Sequence, residues 1–170
     1  HDALPILQTD VPNFVLEARY TFHPVGQGLF ATGSLALRGR DVHCVYDCGT
    51  TSSQNLIDRG LARLKRTQDG NKPKLHLVTI SHFDRDHISG LVSLLTQFAI
   101  GTLLLPYVPL WQRLILAFLE RIDTQQEQMG FFINPVAYVS RLEGAEIDQI
   151  VFVPASDDAG PPDETNQPPP

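Results

Sequence analysis

The stretch LHLVTISHFDRDHISG, Leu75 to Gly90, decides the fold. Leu75 to Ile80 reads as a short buried strand, in which His76 alternates with Leu75 and Leu77. From Ile88 onward the spacing changes to Leu91, Val92, Leu95 and Phe98, the stripe of a helix packed on a core. Between the two periods lie His82, Asp84, Asp86 and His87, potential metal ligands placed where a strand ends and a helix begins. If the strand end is extended, His82, Asp84 and Asp86 point to one side, and the turn into the helix brings His87 round to the same space. Imidazole and carboxylate are groups that divalent transition metals accept together. The plainer reading is that Asp84 or Asp86 caps the helix, which needs one carboxylate and leaves the other ligands unexplained.

Upstream, Phe14, Leu16, Ala18, Tyr20 and Phe22 alternate with polar residues, the period of a half-buried strand. A glycine bend at Gly26 to Gly28 leads to strands over Leu29 to Leu37 and Val42 to Asp47, so the N-terminal third predicts an antiparallel meander. Thr50 to Ser53 offers helix caps ahead of Ile57, Leu61 and Leu64, and Arg63, Lys65 and Arg66 suit that helix's C-terminal pole. Downstream, a strand over Thr102 to Tyr107 precedes a longer helix whose apolar stripe, Trp111, Leu114, Ile115, Phe118 and Ile122, is expected in the core. Asn134-Pro135 caps and opens a short helix through Val139 and Leu142, and Ile150 to Val153 is the last strand. Residues 1–153 form the expected domain, and residues 154–170, rich in proline and acid, read as a tail or linker.

At 170 residues, 42% of them hydrophobic, the chain buries a core without disulfides or a structural metal. Cys44 and Cys48, four residues apart in one strand, are roughly 13 Å apart at the Cα atoms and cannot pair with each other. Two free thiols and no stretch approaching 18 apolar residues predict a cytoplasmic chain with no membrane partner. The formal charge of -6 gives no overall steering of nucleic acid, so a phosphate-rich substrate would need a local cation.

Ser81 to Gly90 resembles the HxHxDH signature of the metallo-β-lactamase superfamily, and Asp47-Cys48-Gly49 matches the Asp-x-Gly that ends an earlier strand there. The HxDxDH form is similar to the branch that holds the nuclease domain of DNA-uptake competence proteins. Val25-Gly26-Gln27-Gly28 adds to the likeness, with Pro24 where that branch has aspartate. The resemblance implies an α+β chain, the N-terminal half of an αβ/βα sandwich, with a mixed or antiparallel sheet and helices on one face. It implies a metal-dependent hydrolase, a phosphodiesterase or nuclease acting through a metal-bound hydroxide, with nucleic acid as a candidate substrate. His82 and Asp84 would bind one divalent ion and Asp86 and His87 a second, with Asp86 also catalytic. Zn²⁺ or Mn²⁺ is expected, and Mg²⁺ competes because Asp84 stands where histidine is usual. Asp47 reads either as a supporting residue or as a turn aspartate.

The family fold has two similar halves, and this chain matches the first. No histidine follows His87, so the ligands of a second half are absent from the sequence. The expectation is that the second half comes from the same protein or another chain, or that the half-site is a remnant. Alone, the half sandwich would leave one sheet face bare. The alternative function is a non-catalytic interaction or assembly module. His76 and His43 read as structural, His23 as structural or lining the site, and Arg85 as an exposed loop residue that could meet a substrate phosphate.

Overall fold

The computed structural model describes residues 16–37, 40–122 and 128–154. Six strands form one mixed sheet in sequential order: β1 (Leu16–Phe22), β2 (Phe30–Leu37), β3 (Arg40–Cys48), β4 (Lys74–Thr79), β5 (Ala99–Pro106) and β6 (Glu146–Val153). The β1, β2 and β3 strands pair antiparallel, as the meander predicts, and β3 through β6 pair parallel. Parallel neighbours need crossovers, and helices supply them: α1 (Gln54–Arg66), then α2 (Arg85–Ile88) with α3 (Leu91–Gln97), then α4 (Leu110–Leu119), α5 (Met129–Ile133) and α6 (Pro135–Arg141). The class is α+β. Right-handed crossovers between strands laid in sequential order all fall on one face of the sheet.

The two faces are correspondingly different. One cross-strand row, Thr32, Val45, Val78 and Leu103, is buried and runs on to half-buried Ile150. It meets the helix residues Ile57, Leu61, Leu94 and Leu95 in a common core. The next row, Phe22, Ala31, Tyr46, Thr79, Leu104 and Val151, lies on the opposite face, where Phe22 is 75% and Tyr46 49% exposed. Leu16, Tyr20 and Val42 are exposed as well.

Most local expectations hold. Ile57, Leu61 and Leu64 are the buried stripe of α1, and its basic last turn stands as read. The Asn134 side chain accepts from the Ala137 amide at 3.0 Å with Pro135 opening α6. Both cysteines are free. The β5 and β6 strands begin three or four residues earlier than the apolar runs indicate. In β6 three of the four added residues are polar because it is an edge strand, where Glu146 and Asp148 pair with Lys72 and Lys74.

Two expectations are corrected. Asp84 occupies the N-cap position of α2, but its side chain makes no capping bond, so capping does not explain the motif's carboxylate. The stripe Trp111, Leu114, Ile115 and Phe118 is not in the core: these side chains are 42–79% exposed, and Ala117 is the buried residue of α4. Periodicity identified the apolar face of that helix correctly but not what it faces. The proposed tail beyond residue 154, and Phe14 in the first strand, lie outside the described residues.

Candidate metal centre

The centre is built at the C-terminal ends of β3 and β4, where the parallel strands stop and their connections diverge. Asp47, at the end of β3, is fully buried and holds a left-handed backbone with φ of 56°. That conformation is unusual for a residue other than glycine and recurs where structure is held for function. The carboxylate of Asp47 accepts from the Ser81 amide at 2.7 Å, the Ser81 hydroxyl at 2.6 Å and His87 Nδ1 at 2.8 Å. Asp47 is therefore a supporting residue, and the turn reading is too small for what it does.

Glycines let α2 press against this point. A Cβ on Gly49 would lie 2.5 Å from backbone atoms of Asp86 and His87, so no side chain fits there. Gly28, with φ of 149°, would meet the Gly49 carbonyl oxygen at 2.3 Å and that of Asp86 at 2.8 Å. The Leu29 amide donates to the Asp86 carbonyl at 3.0 Å, which ties the early glycine bend beneath the motif. From the other end of α2, the Ser89 hydroxyl accepts from the Thr50 amide at 2.8 Å and donates to the Thr50 carbonyl at 2.9 Å. Phe83, inside the motif, is buried edge-on against Phe131 and Phe132 and anchors the loop from below.

The hydrogen-bond chain assigns the histidine tautomers. The Ser81 hydroxyl proton goes to Asp47, so the same oxygen accepts from His82 Nδ1 at 2.8 Å. His87 likewise donates through Nδ1 to Asp47. In both rings Nδ1 is thereby engaged and Nε2 is the nitrogen turned toward the carboxylates. His82 Nε2 faces Asp84 Oδ2 at 3.4 Å and His87 Nε2 faces Asp86 Oδ2 at 3.4 Å, with the two ring centroids 3.6 Å apart. Imidazole nitrogens and carboxylate oxygens brought this close are a donor set that fits a divalent metal. His82, Asp86 and His87 offer ligand atoms all within 4.8 Å of one another, a cluster that could hold an ion. Asp84 stands beside it through His82.

The other sequence candidates lie elsewhere. His23 is buried beneath α1, its ring stacked on Phe30 with centroids 4.2 Å apart and its Nε2 3.1 Å from the Thr32 hydroxyl. Burial, then the nearby Arg63 charge, lowers its pKa from the usual 6.5. His76 accepts the His43 amide at Nδ1 and joins neighbouring strands. Arg85 is exposed and lines a hollow of about 590 Å³ with Gln54, Arg121 and Phe132. Burial pushes the Cys48 thiol up, with Asp47 and Asp58 adding to it, so this cysteine is an inert packing residue. Ser81 is the member of this hydrogen-bond network that motif reading passed over. Its only sequence signal is its place directly before His82.

No family model matches the chain, and no curated protein matches it. Among solved structures it is similar to one described as "Peroxy diiron species of chemotaxis sensor ODP", at 15% identity and a TM-score of 0.36. That match covers 84% of this chain and 46% of the other, so this chain spans less than half of that neighbour's length. No helix among the described residues is long and apolar enough to cross a membrane.

Proposed function

We propose that this chain is the ligand-bearing first half of a metallo-β-lactamase-like hydrolase that cleaves a phosphodiester, with nucleic acid as a candidate substrate. The observation that carries the reading is the pair of histidines whose Nδ1 atoms are held by Ser81 and Asp47 while both Nε2 atoms face carboxylates. His82 and Asp84 would hold one divalent ion and Asp86 and His87 the other, with Zn²⁺, Mn²⁺ and Mg²⁺ the candidates by donor type. When bound, such ions lower the pKa of water and neutralise charge on the attacked group. The protein's own part is positional. Asp47 and Ser81 fix the imidazole rings, and in this reading the Asp86 carboxylate would also accept a proton from the attacking water. Arg85, on the same short helix, offers a cation for a phosphate.

The rest of the site belongs in this reading to a second half, from the same protein or another chain. The apolar row Phe22, Tyr46, Leu104 and Val151 on the uncovered sheet face supports it, because a sandwich needs such a face. Two free cysteines fit a reducing, cytoplasmic setting. The second reading, an interaction module, is favoured by the lack of any histidine after His87.

The test is hydrolysis of bis(p-nitrophenyl) phosphate and of single-stranded DNA by the chain together with whatever copurifies, with added Mn²⁺ or Zn²⁺. The hydrolase reading expects turnover that His82→Ala with His87→Ala abolishes. A stable complex that forms equally with the double variant, binds no metal and turns nothing over would establish the module instead.

A further inference from the structure

Helix α4 is amphipathic and faces the wrong way for an isolated chain. Leu110, Trp111, Leu114, Ile115, Phe118 and Leu119 are 42–79% exposed, whereas Ala117 is buried and the charged residues Arg113 and Glu120 are half-buried on the inward side. The Nε of Arg113 is buried without a hydrogen-bond partner among the described residues, a poor exchange for six apolar side chains in water. The outward face carries no charge. At the full side-chain areas typical of large apolar residues, it presents roughly 600–700 Å² of each molecule, close to the ~800 Å² per partner of a standard interface.

The order of residues on that face identifies what covers it. About a midpoint between Leu114 and Ile115, the stripe reads nearly the same in both directions: Leu110 mirrors Leu119, Trp111 mirrors Phe118, and Leu114 mirrors Ile115. Two α4 helices packed antiparallel about a two-fold axis therefore place leucine on leucine, tryptophan on phenylalanine, and leucine on isoleucine. In a two-fold contact residue i meets residue j of the partner and j meets i, so this order gives each apolar side chain of the stripe an apolar partner of similar size. We infer that the α4 face is the interface of a homodimer, formed by a second copy of this chain docked antiparallel. The surface is separate from the metal ligands and from the bare sheet face, so the inference stands whether or not the hydrolase reading does.

Sedimentation equilibrium of the 170-residue chain from about 1 to 100 µM tests it, a range that brackets a micromolar interface. The expected wild-type species has twice the 18.9 kDa of one chain. Phe118→Glu is expected to give a monomer with unchanged circular dichroism, since that side chain is 79% exposed. Leu110→Lys and Leu119→Glu singly should each weaken the dimer by about tenfold or more. Together in one chain they should restore it, because the antiparallel pairing sets position 110 of each copy against position 119 of the other, and the two substitutions carry opposite charge. A wild-type monomer throughout the range would overturn the proposal. So would a dimer indifferent to Phe118→Glu but lost on Phe22→Glu, which would put the contact on the sheet face. A double charge variant weaker than either single one would overturn the antiparallel arrangement.

Discussion

Around Asp47 the polar side chains are paired: one buried carboxylate takes two donors from Ser81 and one from His87, beneath a helix admitted by glycines at 28 and 49. Helix α4 and the outer row of the sheet are the reverse, with phenylalanine, tryptophan and tyrosine left in water. The first region is finished within the chain. The second leaves its apolar side chains without partners in the chain. The difference teaches that polar groups around Asp47 are satisfied within the chain, while the apolar excess lies on its surface, where the proposed second half and second copy would meet it.

The sharpest way to break this comparison is Asp47→Ala. It strips the acceptors from two part-buried Ser81 donors and frees His87, and the expected loss of stability is about 2 kcal/mol by urea denaturation. Asp47→Asn keeps the size and tolerates the left-handed backbone, so it should lose less than half as much. If Asp47→Ala unfolds at the same urea concentration as the wild type, the network is incidental to the fold.

His23 gives a smaller, pH-dependent effect. Its folded-state pKa lies below the unfolded 6.5, so the unfolded chain binds the proton more readily and stability falls as pH drops below 6.5. Its neutral form is fully present above that value. Between pH 7.5 and 5.5 the chain should lose stability through His23, with an upper bound of about 1.4 kcal/mol per pH unit for one proton. His23→Gln should flatten the urea midpoint by that difference. A variant with the wild-type slope would show that the buried ring is not the source.

At the other extreme, Phe22→Ser on the bare sheet face should change stability by no more than about 0.5 kcal/mol, because that side chain is 75% exposed within the chain. A much larger loss would mean that the face is already covered in solution.

How far the sequence could be read follows the same division. The meander, α1 and the strand-to-helix switch at His82 to His87 are local patterns, and each stands where its periodicity put it. The candidate ligand cluster was legible because its members lie within six consecutive residues, His82 to His87. Ser81 was not, since its meaning comes from Asp47, 34 residues away, and no spacing rule joins them. The short α5 carries Phe131 and Phe132 into the core but is too brief to show a period. For α4 the stripe was correct and its destination was not, because 3.6-residue periodicity is the same whether the apolar face meets its own core or another molecule.

The central claim is that His82, Asp84, Asp86 and His87 form a metal site held in place by Asp47. Its most direct test is the metal content of chain purified without chelator and then equilibrated with Mn²⁺ or Zn²⁺, by elemental analysis beside the His82→Ala/His87→Ala variant and Asp47→Asn. The account predicts bound metal in the wild type, none above background in the double variant, and roughly tenfold or greater weakening in Asp47→Asn. Metal absent from folded wild-type chain, or retained equally by the double variant, would contradict it.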